Sequence, residues 1–492
     1  MNYKNNILFR NPGLVIFLFI FTLIWSTKLF YLWSTDFGHY YVGANSINEG
    51  YQLYNEFWEH KGPVYYFFIF IVSKIIGYGT VQAYFVLCVT LLIYFLALFK
   101  LCDVYKISKP YLGLILLIST SQLVRQTEDV SLDLFKGALV IFAFIYLINY
   151  LNTSKEKYLL FSFFFISLAI LTRIDSILFG LLYVFIILNE ENKVWLTTKA
   201  GLKFSTIFAI LFFTFTLIYN FTISEFFIHN IDFNSWRTTQ LSKTISFHPI
   251  LAYLYRPRIV EEFLISGTLL ALILLNSSPK NNLDFKNDAN LKLANTVLAI
   301  GIISFLVSLS EKSYHLFIMY PYISIYFVIL ISRKKPEINI NLLLAAFLII
   351  TTFFLSPILK TFLEDSSCLT DPFCTKSSLH ESKKVIEEIK DLNDERVLIV
   401  SSYSWIYLLS ETQPLTSLDD NWLYMLKDPY LNSQGLLKSF NLINELDKDE
   451  YFYIYKNFYY QNVNNGNQLF MEILKDKHQI IDLGSFLKVV KK

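Results

Sequence analysis

In residues 33–68, WSTDFGHYYVGANSINEGYQLYNEFWEHKGPVYYFF, the carboxylate of Asp36 and the basic side chains of His60 and Lys61 bracket a polar stretch that follows a strongly apolar one. Asp36 opens the stretch. His60 and Lys61 stand near its end, just before Gly62, Pro63 and the return to apolar sequence. A carboxylate can take a proton from an attacking hydroxyl, and a lysine ammonium can hold a phosphate as a compact point charge. Polar groups are costly beside lipid, so a pure anchor has little use for this connection, whereas an enzyme acting on a membrane-held substrate needs one. The pattern implies a catalytic carboxylate and a cation poised over a lipid phosphate. Asp36, His39 and His60 can also be drawn as a metal site, but their spacing matches no standard ligand pattern, so neither a metal nor another cofactor is expected.

The elements that must carry these residues are apolar helices. The 492 residues are 54% hydrophobic, 18% aromatic and only 17% charged, which excludes an ordinary soluble protein, and the net charge of +2 gives nucleic acid nothing to bind. Apolar runs at 14–33, 81–99, 110–124, 134–150, 158–172, 175–189, 204–220, 260–276, 292–309, 315–332 and 339–357 predict a polytopic α-helical membrane protein with about eleven transmembrane helices. The first, preceded by Lys4 and Arg10 and lacking a small-residue cleavage site, reads as a retained signal-anchor with a cytoplasmic N-terminus. Lys100, Lys106 and Lys109, then Lys155 and Lys157, then Lys193, Lys199 and Lys203, then Lys280, Lys286 and Lys292, then Arg333, Lys334 and Lys335 fall on one side of this scheme, as the positive-inside rule requires. Arg237, Lys243, Arg256 and Arg258 in the 221–259 loop weaken the bias. The stretch 62–76 is short for a crossing and reads as an interfacial helix on the outer face, within a first outer loop spanning 34–80.

Past the core of residues 1–357 the composition changes. Residues 377–392 carry a helical pattern with Val385, Ile386, Ile389 and Leu392 on one face, 396–402 a strand, and SWIYLLSE a short helix. A helix (LLKSFNLINELDKD), a strand (EYFYIYKN), a helix (LFMEILKDK) and a closing pair (QIIDLG, SFLKVVK) follow, so residues 358–492 are expected to form a small extracytoplasmic α/β domain. It has no glycine-rich phosphate loop, so no nucleotide is assigned to it. Cys88 and Cys102 read as small buried hydrophobes. Cys368 and Cys374 bracket CLTDPFC on the outer side, where an oxidising compartment favours a local disulfide over free thiols.

Asp36, Tyr41, Ala44, Gly50-Tyr51-Gln52-Leu53-Tyr54 and Glu59-His60-Lys61-Gly62-Pro63 form a pattern. In it the chain resembles the polyprenyl-phosphate-dependent GT-C glycosyltransferases of the protein O-mannosyltransferase and aminoarabinose-transferase type. Weaker echoes follow in order: Thr127-Glu128-Asp129, Leu171-Thr172-Arg173, and Tyr314-His315 followed by Pro321. One departure is Phe37, which stands where many members carry a second acid.

The resemblance implies a GT-C-like fold in a bacterial inner membrane and transfer of a sugar, with inversion, at the outer face. The donor would be a polyprenyl-phosphate-linked sugar and the acceptor a glycan, lipid or protein. Sugar transfer from a lipid phosphate expels a good leaving group, so positive charge matters more than an acid, while the acceptor hydroxyl needs a base. Asp36 is the candidate base. Glu128 is a second catalytic candidate, steering the acceptor or compensating for Phe37, the equal alternative being that Asp129 and Asp133 belong to a solvated loop. Lys61 is the candidate for the donor phosphate, its alternative being a lysine snorkelling at the interface. His60, Arg173 and His315 are further donor-phosphate candidates, and an ion pair with Asp175 is the alternative for Arg173. A lipid-linked glycan polymerase or ligase would share this chemistry. A multi-span lipid or solute transporter would place broken helices at mid-membrane in paired internal repeats, and no such repeat is detected in the sequence.

Overall fold

The computed structural model describes residues 35–54, 61–106, 131–183, 193–232, 289–307, 320–334, 380–392, 396–400, 405–410, 413–414, 451–455, 478–484 and 486–491. Among these residues the membrane-region helices are α1 Thr35–Asn48, α2 Pro63–Ile76, α3 Thr80–Val104, α4 Ser131–Thr153, α5 Glu156–Thr172, α6 Lys193–Tyr219, α7 Ile223–Phe227, α8 Ala289–Val307 and α9 Tyr320–Lys334. A 3-10 segment, Ile174–Phe179, follows α5, and a π-helical turn, Ile228–Asp232, follows α7. Three helices are long and apolar enough to cross a membrane, over Phe85–Val104, Leu132–Thr153 and Thr198–Tyr219. They coincide with expected spans two, four and seven. The 14 residues of α2 reach about 21 Å, short of a hydrocarbon core of about 30 Å. Within the expected span 175–189 the described residues are helical from Ile174 to Tyr183, opening as a 3-10 segment at Ile174–Phe179. Expected spans 14–33, 110–124, 260–276 and 339–357 lie outside the described residues.

The chain divides into two compact units, each gathering distant segments: Met1–Trp25, Leu87–Thr214 and Asn234–Thr361 in the first, and Ser26–Val86, Phe215–Phe233 and Phe362–Lys492 in the second. In the first unit α4 and α5 pack along their length, joined by only Ser154 and Lys155, with Ser154 in the left-handed region at φ 54°. Tyr146 of α4 stacks on Phe165 of α5 at 5.5 Å. Ser162 donates its hydroxyl proton to the Ala143 carbonyl at 2.6 Å and also bonds the Tyr183 hydroxyl at 2.6 Å, so polar groups buried in an apolar bundle are matched across elements. The start of α5 is tied to α6 by Glu156, whose carboxylate meets Lys203 at 2.9 Å and Lys199 at 3.7 Å. The Lys203 hydrogen bond and both ammonium charges hold that carboxyl below its ordinary range. Helices α8 and α9 approach closely at Gly301, where an added Cβ would lie 2.7 Å from Cβ of Tyr322. Leu202 and Ile210 of α6 stay exposed on the protein, as hydrocarbon-facing side chains do.

In the second unit α1 packs on α2 through Tyr40, which meets Tyr65 and Tyr66 edge-on. The C-terminal elements are α10 Lys383–Leu392, preceded by a 3-10 turn at His380–Ser382, β1 Arg396–Val400, α11 Trp405–Ser410, β2 Gln413–Pro414, β3 Tyr451–Tyr455, β4 His478–Asp482 and β5 Phe486–Lys491. The strands form one mixed sheet in the order β2-β1-β3-β5-β4, with β1 parallel to β2 and β3, and β5 antiparallel to β3 and β4. Tyr453 and Lys488 are cross-strand partners, and both reach Glu388 of α10, at 3.1 and 2.8 Å. Val385, Ile386 and Ile389 form the buried face of that helix. These C-terminal residues share their unit with residues 26–86 and 215–233, and α11 packs against α1. The expected helices LLKSFNLINELDKD and LFMEILKDK lie outside the described residues, as do Cys368 and Cys374.

Candidate functional site

Helix α1 carries the first candidate. Asp36 occupies its first turn, where the helix dipole favours negative charge, although its side chain is outside the described set. The rest of the helix explains its own position: Phe37, Tyr40, Tyr41, Val42 and Ala44 are buried. Tyr41 is pinned at its far end by the Gly79 amide, which donates to its hydroxyl at 3.1 Å, and Tyr78 donates to the Ala44 carbonyl at 3.4 Å. Burial raises the pKa of both phenols. His39, considered above as a metal ligand, is buried with its ring against Tyr40. No group of three His, Cys, Asp or Glu side chains that could hold a metal is present among the described residues.

After α1 the chain reverses at Gly50, whose φ of 103° suits glycine, and buries Leu53 and Tyr54. Tyr54 donates its hydroxyl proton to the Lys61 carbonyl at 2.7 Å. Lys61 is half-buried and directly precedes Gly62 and Pro63, the N-cap and first residue of α2. Proline at a helix start loses no hydrogen bond, so the Lys61-Gly62-Pro63 sequence fixes where the helix begins. A second segment closes on the same tyrosine. A reciprocal capping box between Thr222 and Glu225 starts α7, and the following π turn buries His229 and Asn230. Asn230 donates to the Tyr54 hydroxyl at 3.0 Å and to the Phe226 carbonyl at 3.1 Å, while Phe221, Phe226 and His229 surround the tyrosine ring. Asn230 was not legible in the sequence as a partner of Tyr54. The readable signal was the Thr-x-x-Glu box at 222–225.

The first unit holds a separate polar centre. Asp133, expected in a solvated loop, is instead 5% exposed in the first turn of α4. Its carboxylate accepts twice from Arg173, at 2.8 and 3.1 Å, and lies 3.3 Å from Lys136 one turn on. Lys136, 2% exposed, donates to Asp175 at 2.9 Å, and Asp175 also lies 3.5 Å from Arg173. Two cations and two carboxylates therefore neutralise one another where water is scarce, since an isolated charge there would be prohibitively costly. Arg173 has its expected neighbour Asp175, but its shorter bonds go to Asp133. A phosphate approaching Arg173 would have to compete with both carboxylates. Lys136 escaped the sequence reading, though an Asp-x-x-Lys spacing opening an apolar helix was its signal. The structure places Asp36 and Lys61 in one unit and Arg173 in the other. His60, Glu128 and His315 are outside the described residues.

The chain is similar to known proteins in two ways. Residues 60–219 match the sequence family described as dolichyl-phosphate-mannose-protein mannosyltransferase, a stretch that contains His60, Lys61, Glu128 and Arg173. Among solved structures, ArnT from Cupriavidus metallidurans bound to undecaprenyl phosphate superposes with a TM-score of 0.59, covering 97% of this chain and 98% of its own at 10% identity. The chain has the ArnT fold. The apo form of the same ArnT gives a TM-score of 0.58 at 10% identity, with 98% of each chain covered. At such identity the likeness is one of architecture. No curated protein matches by sequence.

Proposed function

We propose that the protein is an integral-membrane glycosyltransferase that moves a sugar from a polyprenyl-phosphate carrier to an acceptor at the outer face of a bacterial inner membrane. The observation that carries this reading is the likeness to ArnT over nearly the whole of both chains, the compared ArnT holding undecaprenyl phosphate. The mannosyltransferase family match over residues 60–219 supports the same chemistry.

In the proposed reaction the acceptor hydroxyl oxygen attacks the anomeric carbon from the face opposite the phosphate. Its proton passes to the Asp36 carboxylate. The bond between the anomeric carbon and the phosphate oxygen breaks, and its electron pair stays with the departing polyprenyl phosphate, so the anomeric centre inverts. Lys61, beside α2, supplies positive charge where the leaving oxygen gains negative charge. Glu128 would orient the acceptor, and His60 and His315 would assist at the phosphate. Arg173 is left out of this step, since its guanidinium is already paired with Asp133 and Asp175.

Purified full-length protein should release polyprenyl phosphate and glycosylate an acceptor when given a polyprenyl-phosphate sugar. Asp36→Asn keeps the side chain's size and removes its basicity, so transfer should drop by at least about a hundredfold with extraction and folding unchanged, the scale of a lost general base. Mass spectrometry of envelope glycans and glycoproteins with and without the gene should reveal one missing sugar. Unchanged glycans together with an inactive purified protein would overturn the reading.

A further inference from the structure

Four non-glycine residues have positive φ among the described residues: Tyr54, Lys106, Ser154 and Asn220. Three are exposed connectors. Tyr54 is 1% exposed, with φ at 71°. A bulky side chain adopts that backbone only where its surroundings impose it, and such imposed positions gather at functional sites. The surroundings here are a π turn, itself a rare element concentrated at functional sites.

The direction of every hydrogen bond in this group follows from chemistry. Carbonyls only accept, so the Tyr54 hydroxyl must give its proton to Lys61 O, and Asn230 must present its amide nitrogen to Phe226 O. The same amide nitrogen then gives its other proton to the Tyr54 oxygen. The relay runs one way, from the π turn through the tyrosine to the backbone of Lys61. We propose that Tyr54 and Asn230 are positioning residues that set the place from which the Lys61 ammonium reaches the donor phosphate. The proposal rests on the reading of Lys61 as phosphate ligand. A lysine ammonium sits at the end of a four-carbon stem, so a small rotation of its backbone moves the charge through a long arc. Holding the carbonyl suppresses that rotation, and the π turn brings the asparagine to the depth at which it meets the hydroxyl.

The test uses full-length protein in nanodiscs and two probes, undecaprenyl phosphate and undecaprenol, which share a tail and differ by the phosphate. Wild type should prefer the phosphate, and Lys61→Ala should erase the preference. Tyr54→Phe deletes one oxygen and keeps the ring among Phe221, Phe226 and His229. It should weaken undecaprenyl phosphate roughly 3- to 10-fold, the worth of an ordinary hydrogen bond, and leave undecaprenol within twofold. Asn230→Ala, which spares the tyrosine, should act in the same direction. On the Lys61→Ala background Tyr54→Phe should add less than twofold, since a residue acting through the ammonium has nothing left to position. Equal weakening of both probes, or effects that multiply on that background, would show a merely structural tyrosine and end the proposal. If wild type transfers sugar and Lys61→Ala keeps its phosphate preference, this inference falls and the glycosyltransferase reading survives. A wild type that neither prefers the phosphate nor transfers sugar sinks both.

Discussion

Lys136→Met tests the buried charge cluster most directly. Methionine nearly matches lysine in length, so the change removes a charge without opening a large cavity. The ammonium lies 2.9 Å from Asp175 and 3.3 Å from Asp133, and the side chain is 2% exposed. At an effective dielectric of about 20, each such attraction is worth about 5 kcal/mol before desolvation. Several kcal/mol per buried ion oppose it, so the intact cluster contributes little net stability. The asymmetry appears on truncation: two carboxylates would then share Arg173 alone, and the uncompensated charge should cost about 3–5 kcal/mol. Adding Asp175→Asn restores neutrality and leaves Arg173 paired with Asp133, so the double variant should recover more than half of the loss. Unfolding by SDS titration in mixed micelles, followed by circular dichroism, measures both. A Lys136→Met protein within about 1 kcal/mol of wild type, or a double variant less stable than either single one, would refute the view of the cluster as a mutually dependent set.

Three further outcomes are expected. Lys61→Ala should lower catalytic efficiency with a polyprenyl-phosphate sugar by roughly 30- to 1000-fold and Lys61→Arg should recover part of it, whereas a change within about threefold would identify a snorkelling lysine. Cysteines introduced at the exposed positions Glu49 and Gln479 should both react with an impermeant maleimide from the outer side, and labelling from opposite sides would break the topology on which the site depends. Gly301→Ala should destabilise by about 1–3 kcal/mol, read as a lower thermal midpoint in detergent, because the new methyl meets Tyr322 Cβ at 2.7 Å.

The apolar runs made several helices legible, since 18 or more uncharged residues leave a chain in lipid few other choices. Their ends were less so. Helix α6 begins at Lys193 rather than near residue 204, because lysines in its first turns blurred the apolar pattern. Two of them are used, Lys199 and Lys203 reaching Glu156. Asp133 read as loop because TEDVSLD looks polar taken locally. Its partner stands forty positions away, and no local pattern reports that separation. The closing β4–β5 hairpin could be read from its Asp-Leu-Gly turn, with Gly484 at φ 90°. The parallel pairing of β1 with β3 could not, since alternation marks a strand and not its neighbour. At the candidate site, Asp36 and Lys61 were visible by type and spacing, whereas Asn230 was not, its partner Tyr54 being 176 positions away.

The joined pair α4 and α5 has a consequence for how this protein is built into a bilayer. Asp133 and Lys136 belong to one arm, and Arg173 and Asp175 to the other, so each arm enters with its charges already cancelled. Within an arm the separations are 3.3 and 3.5 Å; between arms they are 2.9 and 2.8 Å. Each cation thus keeps its local counterion and gains a nearer one on the other arm. Those cross-arm bonds are available in only one alignment of the arms, since sliding one helix by a single turn moves the partners about 5.4 Å out of line. The correct register is thereby marked by cross-arm bonds that a misaligned hairpin has no means to make.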